Sequence, residues 1–204
     1  MTDTIRAFIA IKLPESVTSG ILDLQKDLKN KGLVIKWVRP ENIHLTLKFL
    51  GNISLVEVNA AKHAILDTTV NFAPFVLTAA KIGVFATVRK PRILWTGIKG
   101  DTKHLVDLQK SLDRQLAVAG FEPEKRPFKA HLTIGRFKKN GRFKKKNDPK
   151  MLSDAIMEFE HFESKKFMAD RIILFKSELR PSGAVYTEIS GQDLESGEYA
   201  RKTP

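Results

Sequence analysis

Ile43-His44-Leu45-Thr46-Leu47 and Ala130-His131-Leu132-Thr133-Ile134 carry one pattern twice: apolar, His, apolar, Thr, apolar. Alternation of this kind reads as a strand with one face in a core, because successive side chains of an extended backbone point to opposite sides. The apolar residues share the core face, and His and Thr share the other, two positions apart. Lys48 falls on the His44 face if the alternation continues. At ordinary residue frequencies a given His begins such a pattern roughly one time in a hundred. Two among the chain's 5 His is then on the order of a one-in-a-thousand accident.

Outward from the first motif, Ile5 to Leu13 reads as a buried strand and Pro14 opens a helix. Ile21, Leu24 and Leu28 recur at helical spacing until Asn30 and Gly32. Leu33 to Val38 reads as a strand, Arg39 to Asn42 as a turn, and Ile43 to Leu50 as a strand closed by Gly51-Asn52. Ser54 followed three residues later by Glu57 is a capping box, opening a helix to about Val70. The second half resembles the first in outline. Phe75–Phe85 and Arg92–Ile98 read as strands. A helix follows with Leu105, Leu108, Leu112 and Leu116 on one face and Gly120 as its stop. Then come a strand over Ala130–Phe137, a basic loop and a short helix capped by Asp148-Pro149. Strands near Phe162–Met168, Arg171–Leu179 and Ala184–Ile189 close the chain, the last two joined by the turn Arg180-Pro181-Ser182-Gly183. The expected class is α+β with antiparallel sheets in two closely packed lobes. One domain is expected over 1–191, with a polar tail over 192–204.

The chain has 204 residues, 35 Lys+Arg against 23 Asp+Glu and a net charge of +12. A surplus that large favours a polyanionic partner such as RNA, although it also suits a protein that is merely soluble. There is no Cys, which excludes disulfides, thiolate metal sites and cysteine nucleophiles. The apolar run at the start is too short for a membrane span and lacks the flanks of a signal peptide. A cytoplasmic monomer that does not engage membranes is expected.

The duplicated pair makes chemical sense for phosphate. Opening a cyclic phosphate needs water deprotonated on one side of phosphorus and a leaving oxygen protonated on the other. Histidine fills either role near neutral pH. Thr46 and Thr133 hydroxyls can donate to the non-bridging oxygens, and Lys48 can offset their charge. Arg136 is a further phosphate candidate, though strict alternation places it opposite His131. The stretch Arg136–Lys146, with Phe137 and Phe143 among its basic residues, suits either an RNA strand or a solvated loop. Trp37 and Trp95 read as core aromatics. His63, His104 and His161 have no matching context. No HExxH or carboxylate partner accompanies the pair, so neither metal nor cofactor is expected.

The two H-x-T motifs lie 87 positions apart (131 − 44) and resemble the signature of the 2H phosphoesterase superfamily. The closest resemblance is to the LigT-like RNA 2′,3′-cyclic phosphodiesterases, also called 2′-5′ RNA ligases. RAFIAIKLPE, WVRPENIHLTLKFLG, PRILWTGI, FKAHLTIGRF and LFKSELRPSGAVYTEI follow the family order from Arg6 to about Ile189. The resemblance implies two lobes related by a pseudo-twofold axis, helices on the outer faces and a groove holding one motif from each lobe. It also implies hydrolysis of an RNA 2′,3′-cyclic phosphate end to a 2′-phosphate without metal or ATP, with 2′-5′ ligation as the reverse. In that frame His44 donates a proton, His131 accepts one, and Thr46 and Thr133 bind phosphate. Two alternatives stand beside this. One is a phosphodiesterase for small cyclic nucleotides, such as a cyclic phosphate of ADP-ribose; the other is a non-catalytic RNA-end binder.

Overall fold

The computed structural model describes residues 3–137, 149–181 and 183–195. Strand β1 (Thr4–Lys12) leads into helix α1 (Glu15–Asn30), and the short β2 (Lys36–Trp37) precedes a 3-10 turn at Pro40–Asn42. Strand β3 (His44–Ser54), helix α2 (Leu55–Thr69), the hairpin β4 (Phe75–Thr87) and β5 (Lys90–Gly100), and helix α3 (Thr102–Val118) follow. The chain then forms β6 (His131–Arg136), α4 (Pro149–Glu158), β7 (Phe167–Ala169), β8 (Arg171–Arg180) and β9 (Gly183–Asp193). The basic residues 138–146 and the cap Asp148 lie outside the described residues.

The expected α+β class with antiparallel sheets is what the chain forms. The strands run β7-β4-β5-β6-β3-β1-β8-β9, with β2 also pairing β6. Every pairing is antiparallel. The order is symmetric about its centre: β6 with its motif mirrors β3 with its own, and β5 mirrors β1. The halves are the two expected lobes, and they join into one curled sheet. A single register pair joins β3 to β6, Leu45 opposite Leu132, and β2 adds Lys36–Arg136 and Trp37–Gly135.

Helices cover the core side of this sheet because each carries one apolar stripe. On α3 the stripe is Leu105, Leu108, Leu112 and Leu116, all 0% exposed; each such burial is worth roughly 1.5–3 kcal/mol. The stripe of α1 is Val17, Ile21, Leu24 and Leu28. At the start of α2 the capping box is present in full: the Ser54 side chain accepts from the Glu57 N–H, and the Glu57 carboxylate accepts from the Ser54 N–H. That arrangement satisfies two backbone donors the first turn leaves free.

Three segments depart from the expected pattern. Only Lys36 and Trp37 of the strand expected over Leu33–Val38 pair with β6, because in this antiparallel register Leu33 to Ile35 fall opposite positions past Arg136, where β6 ends. Of the strand expected over Phe162–Met168, only Phe167–Ala169 pairs in register with β4; Glu163 makes an isolated bridge to Ala80. Beyond that bridge Lys81, at φ +58, donates its N–H to the Phe162 carbonyl at 2.9 Å. At the C-terminus β9 continues to Asp193 and Leu194 is buried, so sheet and core extend past the expected boundary at 191. Residues 196–204 of the expected tail lie outside the described residues.

Candidate active site

His44 opens β3 and His131 opens β6, the two strands that meet at the centre of the sheet. Extending the register from the Leu45–Leu132 pair sets His44 across from Thr133 and Thr46 across from His131. Leu45 and Leu132 are 0% exposed on the core side, so the histidines and threonines share the open side. Neither threonine hydroxyl has a hydrogen-bond partner among the described residues.

The two imidazoles are held the same way. His44 Nδ1 lies 2.9 Å from the carbonyl oxygen of Asn42, and His131 Nδ1 lies 2.6 Å from that of Lys129. A carbonyl only accepts, so each Nδ1 is the protonated nitrogen and each Nε2 is left for substrate. In both cases the carbonyl belongs to the residue two positions earlier on the same chain segment.

Their surroundings differ. His44 stacks on Phe8 (centroids 4.6 Å apart, 29°), and the edge of Tyr186 meets it at 5.2 Å. His131 meets Phe85 edge-on at 4.7 Å. Burial pushes His44 from 6.5 down to about 4, with the positive charges of Arg136 and His131 acting in the same direction and the Asn42 carbonyl opposing. Burial also lowers His131, opposed by its bond to Lys129 and aided by Arg136. Both imidazoles are thus neutral at pH 7 when the site holds no anion, with Nε2 able to accept a proton.

Strict alternation fails in both motif strands at the same point. In β3, Ile9 pairs with Lys48 and Ala10 with Thr46, leaving Leu47 as an extra residue. In β6, Leu94 pairs with Gly135 and Trp95 with Thr133, leaving Ile134 as the extra residue. Each bulge sits three residues after its His, and each inverts the facing of the two residues that follow it. Lys48 is therefore turned away from His44. It is 7% exposed, and its Nζ donates to Asp113 Oδ1 at 2.5 Å and to the Glu122 carbonyl at 2.8 Å. The expected place of Lys48 on the His44 face is corrected by this placement. Arg136 moves the opposite way, onto the side of His131, where its charge acts on both imidazoles.

Several residues that support the site were not singled out by the sequence. Gln25 of α1 is 1% exposed, and its amide donates to the carbonyls of Val38 and Ile134, both at 2.9 Å. It thereby fastens the bulge that aims Arg136. Trp95, expected in the core, is half-buried on the Thr133 side, with its Nε1 unpartnered. It fits there because Gly83 has no side chain: a Cβ at Gly83 would lie 2.4 Å from the indole. Trp37 is packed against the core, as expected. The remaining histidines stay apart, His63 and His161 exposed and His104 between the rings of Phe72 and Phe75. Among the described residues no three His, Asp or Glu side chains converge as a ligand set for a metal ion. Among the described residues no helix is long and apolar enough to cross a membrane.

The arrangement therefore offers two neutral imidazoles, two free hydroxyls and one guanidinium around an open surface, which is equipment for moving protons around a bound anion. Comparison with known proteins agrees. The model of the family described as LigT like Phosphoesterase matches residues 11–95 and 98–186. The RNA 2′,3′-cyclic phosphodiesterase of Methanothermobacter thermautotrophicus is 34% identical over 185 residues, covering 91% of this chain and 96% of its own. The protein of the same name from Methanocaldococcus jannaschii is 34% identical over 184 residues, covering 90% and 98%. The fold is also similar to that of E. coli LigT in its apo form, with a TM-score of 0.71 at 22% identity over 96% of this chain and all of that one. Two matching H-x-T strands, their mirrored sheet order and a family match across both lobes lead to one conclusion: this chain belongs to the LigT-like phosphoesterase family.

Proposed function

We propose that the protein hydrolyses RNA 2′,3′-cyclic phosphate ends to 2′-phosphates through two-histidine acid–base catalysis. The observation that carries this is the pair of imidazoles on adjacent strands, each turning Nε2 to the open side because its Nδ1 is engaged by a carbonyl. The shared name of the archaeal relatives supports the substrate class, and so does the charge of +12. Water adds to phosphorus as His131 Nε2 takes its proton. The bond from phosphorus to O3′ breaks as a proton passes from His44 Nε2 to O3′. Thr46, Thr133 and Arg136 hold the non-bridging oxygens. His44 is neutral in the free protein, so its proton arrives with the phosphate, whose negative charge offsets the cost of a buried imidazolium. The reaction needs neither metal nor cofactor, and its reverse would join a cyclic end to a 5′-hydroxyl.

A second reading exchanges the two roles. It is favoured by the low proton affinity of His44, which suits a base in the free protein.

The test uses a short RNA ending in a 2′,3′-cyclic phosphate, with EDTA present and ATP absent. His44→Ala and His131→Ala should each lose about 10²–10⁴ in rate, and the wild-type product should carry a 2′-phosphate. A phosphodiester with a p-nitrophenolate leaving group needs no acid, so the variant that keeps activity on it has lost the acid. A folded wild type that turns over no cyclic phosphate would refute the proposal.

A further inference from the structure

Facing residues climb the open side of the junction like rungs. The first two rungs are His131 with Thr46 and Thr133 with His44, by extension of the Leu45–Leu132 register. Past the β6 bulge the next open-side residue is Arg136, and directly opposite it stands Lys36 of β2. Directly opposed residues of an antiparallel pair share a face, with Cα atoms about 4.5–5.5 Å apart. The third rung is therefore a pair of cations. Both are exposed, and among the described residues neither side chain has a hydrogen bond or a carboxylate partner.

Like charges in that position repel, yet the fold fixes them there. Strand β2 is only Lys36 and Trp37, and it is clamped to β6 on both sides of the pair. Gly135, opposite Trp37, makes room for Ile35: a Cβ at Gly135 would lie 2.3 Å from Ile35 Cδ1. The buried Gln25 amide donates to the Val38 and Ile134 carbonyls, one on each segment, and the Val38 N–H donates to the Ile134 carbonyl at 3.0 Å. What this clamp presents to the open side is an ammonium beside a guanidinium. An anion bound between them relieves the repulsion.

The two cations are not equivalent. The charge of Arg136 acts on both imidazoles and that of Lys36 on neither, so the ammonium lies further from the reacting phosphate. Successive same-side residues of a strand are roughly 7 Å apart, twice the rise per residue. One rung thus carries a bound strand from the level of His44 to the cation pair, about the length of one nucleotide. In an RNA end, the group at that spacing is the phosphodiester on O5′ of the ribose that carries the cyclic phosphate.

We propose that Lys36, beside Arg136, binds the phosphodiester on the 5′ side of the terminal nucleotide and so favours an RNA chain over an isolated cyclic nucleotide. This deepens the function proposed above and rests on it. Lys36 acts in binding and specificity and takes no part in proton transfer.

Lys36→Met and Lys36→Arg would be compared with wild type on adenosine 2′,3′-cyclic phosphate, which has no second phosphate, and on the adenosine di- and trinucleotides that end in the same group. One phosphate contact on a single strand contributes about 0.7 to the slope of log affinity against log salt, or roughly 5-fold between 0.1 M and 1 M salt. In 0.1 M salt Lys36→Met should lose roughly 5-fold in kcat/KM on the dinucleotide, through KM, with a salt slope shallower by about 0.7. On the mononucleotide it should match wild type, and Lys36→Arg, which keeps the charge, should match wild type on all three. An equal loss on the mononucleotide, no loss on the dinucleotide, or an unchanged salt slope would overturn the proposal. So would a loss that appears only on the trinucleotide, which would move Lys36 one phosphate further along. If the wild type turns over none of the three, the hydrolytic reading fails by itself. Calorimetry with the diadenosine nucleotide ending in a 2′-phosphate, against adenosine 2′-phosphate, then still reads Lys36. Weaker binding of the dinucleotide alone in Lys36→Met upholds the subsite, and any other pattern refutes it.

Discussion

Replacing Lys48 with Met separates a lysine that serves phosphate from one that serves the fold. Met keeps most of the aliphatic stem and removes the ammonium. The Lys48 side chain is 6% exposed and that of Asp113 19%, so the pair is largely shielded from solvent. Removing one partner of a fully buried pair costs about 3–5 kcal/mol, because the remaining charge stays desolvated. Two features reduce that figure here. Asp113 retains partial contact with water, and its oxygens still accept from the Glu124 N–H at 3.2 and 3.3 Å. The Glu122 carbonyl, by contrast, loses its Lys48 donor. A loss of about 2–4 kcal/mol follows, which for a chain of this length lowers Tm by roughly 5–15 °C. Lys48→Met combined with Asp113→Leu should recover part of it, since no charge is then stranded. The assay is thermal and urea unfolding alongside kcat/KM on a cyclic-phosphate RNA. Folded Lys48→Met should keep kcat/KM within a few-fold of wild type. An unchanged Tm with KM raised tenfold or more would refute the structural role and return Lys48 to the phosphate.

Acid should destabilise the protein through His44. The unfolded chain binds a proton there near pH 6.5 and the native chain only near 4, so between those values the unfolded state holds more protons and stability falls as pH drops. The shift corresponds to about 3 kcal/mol, and His131, lowered in the same sense, adds to it. Urea unfolding at pH 7 and pH 4.5 should show a smaller loss in His44→Phe, which keeps the ring stack; equal losses would refute the assignment. Gly83→Ala places a methyl 2.4 Å from the Trp95 indole, and overpacking of this kind typically costs about 1–3 kcal/mol. A lower Tm and a changed tryptophan emission are expected, with Trp95→Phe relieving the clash; a variant matching wild type in both would refute the contact.

The histidine pair was legible because chemistry and pattern coincide there: His44 and His131 carry neighbours of the same kind, and alternation alone puts them on the open side. The helices were legible for a similar reason, since the leucines of α3 and the Ser54–Glu57 box are local signals that need no tertiary context. Alternation broke down at Leu47 and Ile134, because a bulge is set by the partner strand and leaves no mark in an apolar run. That single feature explains why Lys48 was placed on the wrong side and why Arg136 was on the right one against the rule. Gln25 was unreadable for a related reason: the carbonyls it binds, of Val38 and Ile134, are 13 and 109 positions away.

The carbonyls of Asn42 and Lys129 have a bearing on how this site can change over generations. Where a catalytic imidazole leans on a carboxylate, one codon change to the matching amide can reverse its tautomer and silence the enzyme. Here the orienting groups are main-chain atoms, present whatever residue occupies position 42 or 129. Drift at those two positions therefore leaves the direction of each Nε2 intact.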